Sequence, residues 1–174
     1  REKVVQPKGG ENGEVEDYPV QIQQNTGTGW DFGDAPNEFY PTSLSDNGAR
    51  HFSDGITFMG ISIDTETDGI SSYNAKGDDM NNLDDEDGVS FQNSFFAGGF
   101  ASLMVITSTD GYLNAWIDFN KNGDWADLGD HVINDQMTNA GVNYLNFEIP
   151  DSATVGETFM RFRFGTQTNL SFTG

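Results

Sequence analysis

Several stretches of the chain alternate apolar and polar residues with a period of two, which predicts strands rather than helices. Tyr112 to Phe119 (YLNAWIDF) sets Leu113, Ala115, Ile117 and Phe119 on one face and Tyr112, Asn114, Trp116 and Asp118 on the other. Glu157 to Phe164 points Met160, Phe162 and Phe164 inward and leaves Arg161 and Arg163 opposite. Val142 to Ile149 aligns Leu145, Phe147 and Ile149, and Pro150 closes it. Shorter candidates are Tyr18–Gln23, Ile56–Asp64, Gly88–Gln92 and Ala101–Thr107, separated by Gly, Asn, Asp and Ser clusters that read as turns. No segment keeps a 3.6-residue apolar period over three turns. The expected fold is all-β, an antiparallel β-sandwich of jelly-roll or Ig-like type.

The acid-rich stretch from Thr65 to Asp87 has too little apolar content for a strand or a core, and loops of that length are usually functional or disordered. Over the whole chain 28 acidic residues stand against 8 basic ones, a formal net charge of −20 in 174 residues. That balance argues against nucleic acid as a partner and equally against anionic membrane surfaces. Aromatic content of 13%, with 14 Phe, separates the chain from acidic disordered tails and marks a folded domain. There is no Cys, so thiol and disulfide chemistry are excluded. No apolar run approaches the ~18 residues of a membrane-spanning helix. The chain starts at Arg1 without a leader and reads as a processed fragment or excised piece.

The charge is uneven. Residues 31–87 hold 14 acids against Arg50 and Lys76 only. So many carboxylates in one small fold repel one another unless a hard cation neutralises them, and calcium, with six to eight oxygen ligands, is the expected cofactor, in more than one copy. The sharpest local signal is Asp118-Phe119-Asn120-Lys121-Asn122-Gly123-Asp124-Trp125, with oxygen side chains at positions 1, 3 and 5 and Gly at 6. An EF-hand would place Glu at position 12 and a helix upstream; here Gly129 occupies that position and a strand precedes the loop. The expected ligands are Asp118, Asn120, Asn122, the Asp124 carbonyl and one of Asp127 or Asp130, in a calcium loop hung on a strand. The plainer reading is an Asn/Gly-rich β-turn without metal. A second set comprises Asp78, Asp79, Asp84, Asp85 and Asp87, and a third Asp31, Asp34, Asp64 and Glu66. For these a solvated charged face is the competing reading.

At this point the motifs carry a resemblance. Gly13 to Tyr18 spells GEVEDY, followed by DFGDAP at 31–36, GARH at 48–51, D-x-E at 64–66 and GDD at 77–79. DDEDGV at 84–89, YLNAWIDFN-x-x-GDW at 112–125 and RFRF at 161–164 complete a pattern similar to that of the GEVED domain family of secreted and surface-anchored bacterial proteins. The resemblance implies an extracellular β-rich module, often repeated or appended to proteases and adhesins, with neighbouring domains of the same polypeptide as its first partners. It supplies no molecular activity for the module. One departure matters: GEVEDY ordinarily closes a repeat after the RFRF strand, whereas here it opens the chain. Residues 1–24 therefore look like the tail of a preceding repeat, with 25–174 as the main domain, and Glu14–Ile22 is expected to donate a strand.

Catalysis is not expected. His51 and His131 are the only histidines, neither in a zinc-protease pattern, and no G-x-S-x-G elbow is present. For His51, a structural hydrogen bond is the favoured reading. The expected function is a non-catalytic calcium-binding extracellular module with a structural or adhesive role, without nucleic acid or membrane insertion and with a glycan or protein ligand as an open question. The alternative is a carbohydrate-binding module of a secreted hydrolase, in which Trp30, Trp116, Trp125 and the tyrosines form a stacking platform. Against it stands the reading that these aromatics are core.

Overall fold

The computed structural model describes residues 29–63, 65–77 and 87–174. The strand expected at Tyr18–Gln23, the GEVEDY motif, and Asp64, Asp78, Asp79, Asp84 and Asp85 lie outside the described residues. Among the described residues the fold is all-β, with antiparallel pairing throughout and one 3-10 turn at Leu44–Asp46. No helix among them is long and apolar enough to cross a membrane.

Eight strands follow in order: β1 Trp30–Phe32, β2 Arg50–Phe52, β3 Val89–Phe91, β4 Phe100–Thr107, β5 Gly111–Ile117, β6 His131–Thr138, β7 Gly141–Glu148 and β8 Met160–Gly165. They form a β1-β2 pair and two three-stranded sheets, ordered β3-β4-β7 and β6-β5-β8. The inward alternation of β4 is regular: Ala101, Leu103 and Val105 are buried, while Phe100 on the opposite face is exposed. These three side chains, with Leu113, Ala115 and Ile117 of β5, Ile133 of β6, Phe147 of β7 and Phe164 of β8, make one apolar cluster fed by both three-stranded sheets. Burial of that cluster is the main stabilising term of the fold.

β5 departs from the half-buried strand that simple alternation predicts. Its second face is buried as well: Trp116 packs with Ala35, Tyr40 and Trp125 in a separate cluster edged by Phe159, Leu170 and Phe172. Segments distant in sequence thus cover the face that carries Asn114 and Trp116, and a central strand covered on both sides results.

Three strands are absent from the expected set. β1 and β2 are three residues each, too short for a periodic signal. β6 is hidden by irregularity: its register against β5 shifts twice, between Leu113 and Ala115 and between Ala115 and Trp116, and Asp135 takes a positive φ of 44°. Such bulges break the period of two on which strand recognition depends. Conversely, Ile56–Asp64 does not form the expected strand. Its described part contributes only an isolated bridge, Met59 to Thr107, with Gly60 N–H donating to Ile106 O.

Candidate metal centre

The loop that leaves β5 wraps around the Asp118 carboxylate. Asp118 is fully buried, and its Oδ1 accepts from the backbone N–H groups of Lys121 (2.6 Å) and Asn122 (3.3 Å). Oδ2 accepts from Gly123 N–H (2.9 Å) and from the Tyr40 hydroxyl (2.8 Å). The turn needs two residues at positive φ, Lys121 at 61° and Gly123 at 90°; Gly is the residue that takes such a conformation without strain. Those four donors fill the lone-pair sites of one carboxylate. The Tyr40 hydroxyl pKa is pushed up, first by burial and then by the Asp118 hydrogen bond and charge, so it stays a donor.

Asn120 and Asn122 turn their amide oxygens to the chain, accepting from Asn122 N–H (3.0 Å) and Asp124 N–H (3.1 Å) respectively. Their amide nitrogens both donate to Asp127 Oδ2, at 2.6 and 2.8 Å. Below them the structure brings three carboxylates together. One oxygen each from Asp124, Asp127 and Asp130 lies within 4.8 Å of the others, the only such acidic or histidine group among the described residues. Asp130 is 3% exposed, and its Oδ2 has no hydrogen-bond partner. Burial, with the nearby Asp127 and Asp118 charges, raises its pKa to about 6, while backbone hydrogen bonds act against the shift.

The loop is held from behind by aromatic packing. Trp125, 2% exposed, stacks on Tyr40 with centroids 4.3 Å apart and donates its indole N–H to Phe159 O at 3.2 Å. Arg161 lies over the Trp125 ring at 4.6 Å. Arg161 donates to Pro41 O, Phe172 O and the Thr42 hydroxyl. Arg163 donates to Arg50 O, Ser171 O, Thr173 O, Gly174 O and His51 Nε2. The two arginines of RFRF therefore clasp the C-terminal segment and the residues around β2 onto β8. His51 Nε2 thus takes part in a hydrogen bond of the kind expected of it, as the acceptor.

The run from β5 through the loop to the arginine clasp is similar to a known family. A family model described as the GEVED domain matches residues 112–174. No curated protein and no solved structure matches the chain. Within the GEVED match lie Asp118, Asn120, Asn122, Asp124, Asp127 and Asp130.

The other expected ligands are scattered, and three of the four described ones accept a backbone N–H. Asp34 Oδ2 accepts from Gly77 N–H (3.0 Å), Glu66 Oε2 from Phe32 N–H (3.2 Å) and Asp87 Oδ1 from Ile61 N–H (3.0 Å). Asp31 sits on β1 opposite His51, near the Arg163 guanidinium. Asp54 belongs to the same pattern: the Thr57 and Ile56 N–H groups hold its carboxyl below the usual range. In a fold with long coil segments, backbone donors lack ladder partners, and Asp side chains satisfy them. Tyr40 was not legible as part of the loop site, being 78 residues from Asp118 with no motif linking them.

Trp116 and Trp125 are 3% and 2% exposed, so neither is available to stack on a sugar; Trp30 is the exposed one.

Proposed function

We propose that this chain is a non-catalytic, calcium-stabilised extracellular module of a larger secreted or surface protein, built as a β-sandwich and acting as a structural or adhesive element. The carrying observation is the Asp124–Asp127–Asp130 cluster together with the buried Asp130 Oδ2, which has no hydrogen-bond partner. A buried carboxylate oxygen without a donor is costly, and a hard cation relieves both the desolvation and the repulsion. Asp118 then acts as the acceptor that shapes the loop, and Asp124, Asp127 and Asp130 supply ligand oxygens. At a calcium concentration ~100 times the dissociation constant, one site adds about 2.7 kcal/mol, a large share of a domain's typical ~5–15. The acidity of the chain and the placement of GEVED modules on secreted proteins support the extracellular assignment.

Thermal melts in millimolar calcium, in excess chelator and in magnesium test the reading, with Asp130→Asn alongside. The folded pKa of about 6 lies above that of the unfolded chain. Without metal, the stability tied to protonated Asp130 is therefore complete below pH ~4 and lost as pH rises through 6. At pH 7 the Asn variant should melt a few degrees higher than the native chain in chelator and lower in calcium. Identical native melts in calcium and chelator, with no inversion in the variant, would remove the metal from the account.

A further inference from the structure

The β3-β4-β7 sheet turns one face to the core through Ala101, Leu103 and Val105, and its register fixes what the other face carries. Cross-strand partners share a face, so Met104–Tyr144 and Ile106–Val142 stand outward side by side, with Ser90 next to Met104. Further along the same face lie Ser102–Asn146, joined by a 2.6 Å side-chain hydrogen bond, and then Phe100–Glu148. Tyr144 is 72% exposed, Phe100 61% and Val142 55%, while Met104 and Ile106 are half-buried. A sheet face turned to water ordinarily carries polar side chains. This one presents an apolar block, and Glu148 at one corner is the only ionisable side chain among these paired positions. The molecule that carries it has a net charge of −20.

We propose that this face is a self-association surface, on which a second copy of the chain stacks sheet to sheet. Charge selects the occupant. A cationic partner is drawn to the acidic loops and gains nothing from this face, whereas two copies, repelled through their acidic surfaces, meet least repulsion here. The composition fits as well, since Tyr, Phe and Met are enriched in protein interfaces and Glu, Asp and Lys depleted. An isologous contact needs this one face only, used by both copies about a two-fold axis. Charge also sets the orientation. With the strands of the two copies antiparallel, their Glu148 carboxylates lie at opposite ends, about 20 Å apart, beyond the ~8 Å screening length of physiological salt; a parallel stack brings them together. The paired stretch is three strands wide and about 20 Å long, roughly 200–300 Å² in plan, a footprint that falls short of the ~800 Å² per partner of a standard interface. The association is therefore weak, with a dissociation constant on the order of 0.1–1 mM, and acts where copies are concentrated. It depends neither on calcium nor on the extracellular assignment.

Backbone amide NMR spectra of the full chain from ~20 µM to ~1 mM, at physiological salt with and without chelator, test it alongside sedimentation velocity. Resonances of 100–106 and 142–148 should shift or broaden with concentration and give one dissociation constant, the same in both solutions. Tyr144→Glu sets a charge in the apolar block and should weaken association at least about tenfold. Tyr144→Ser, which adds no charge, should weaken it less, and Leu128→Glu, at a fully exposed apolar residue of another loop, should leave it unchanged. Val142→Lys meets Glu148 of the second copy in the antiparallel stack and should tighten association. Unchanged β5 resonances report that each variant stays folded. Spectra and sedimentation that do not change with concentration would overturn the proposal and leave the face to a different partner. Concentration-dependent shifts confined to the acidic loops, or a Leu128→Glu effect as large as that of Tyr144→Glu, would overturn it too, and weaker association of Val142→Lys would overturn the antiparallel orientation.

Discussion

Replacing Asp118 by Ala tells a loop acceptor from a metal ligand. The carboxylate takes three backbone N–H groups and the Tyr40 hydroxyl at 2.6–3.3 Å in a fully buried position. Removing it leaves the Tyr40 hydroxyl inside the protein without an acceptor, and a buried donor so stranded costs about 1–3 kcal/mol. The loop N–H groups, nearer the surface, recover water in part, and loss of the buried charge offsets some of the damage. A net destabilisation of about 2–4 kcal/mol follows, which for a chain of this size lowers the melting midpoint by roughly 5–15 °C. The loss should appear in chelator as well as in calcium, because the hydrogen bonds exist without the ion. Tyr40→Phe should cost about 1 kcal/mol, and the double variant should show a coupling of at least ~0.5 kcal/mol. A loss confined to the calcium arm, with no coupling to Tyr40, would refute the reasoning and make Asp118 a ligand instead.

Two further outcomes are expected. Burial, aided by the Arg163 charge, lowers the His51 pKa to about 4, below its unfolded value near 6.5. Its contribution is therefore complete above pH ~6.5 and lost as pH falls toward 4; an NMR titration of the His51 ring should show it neutral at pH 5, and His51→Gln should flatten the melting curve over that window. Arg163→Lys retains the charge but cannot span four carbonyls and an imidazole. It should cost about 2–4 kcal/mol and speed proteolysis of the C-terminal segment. A midpoint within a degree or so of the native one would mean that the clasp contributes nothing.

What the sequence determined by itself was everything local. The strand patterns expected at 101–107, 112–119, 142–149 and 157–164 overlap β4, β5, β7 and β8, because a side-chain period of two is a property of the strand alone. The loop at 118–125 was visible for the same reason: oxygen side chains on alternate residues with Gly at the sharp turn are a local requirement. The tertiary structure decided how each carboxylate is used. Asp118, first in the motif, is consumed by hydrogen bonds, one of them from Tyr40 across 78 residues, while Asp124, Asp127 and Asp130 converge. It also decided that both faces of β5 are buried and that Arg161 and Arg163, which alternation places opposite the core, face carbonyls of distant segments. Those facts depend on which segments meet, and contact between residues far apart in the chain leaves no period to read.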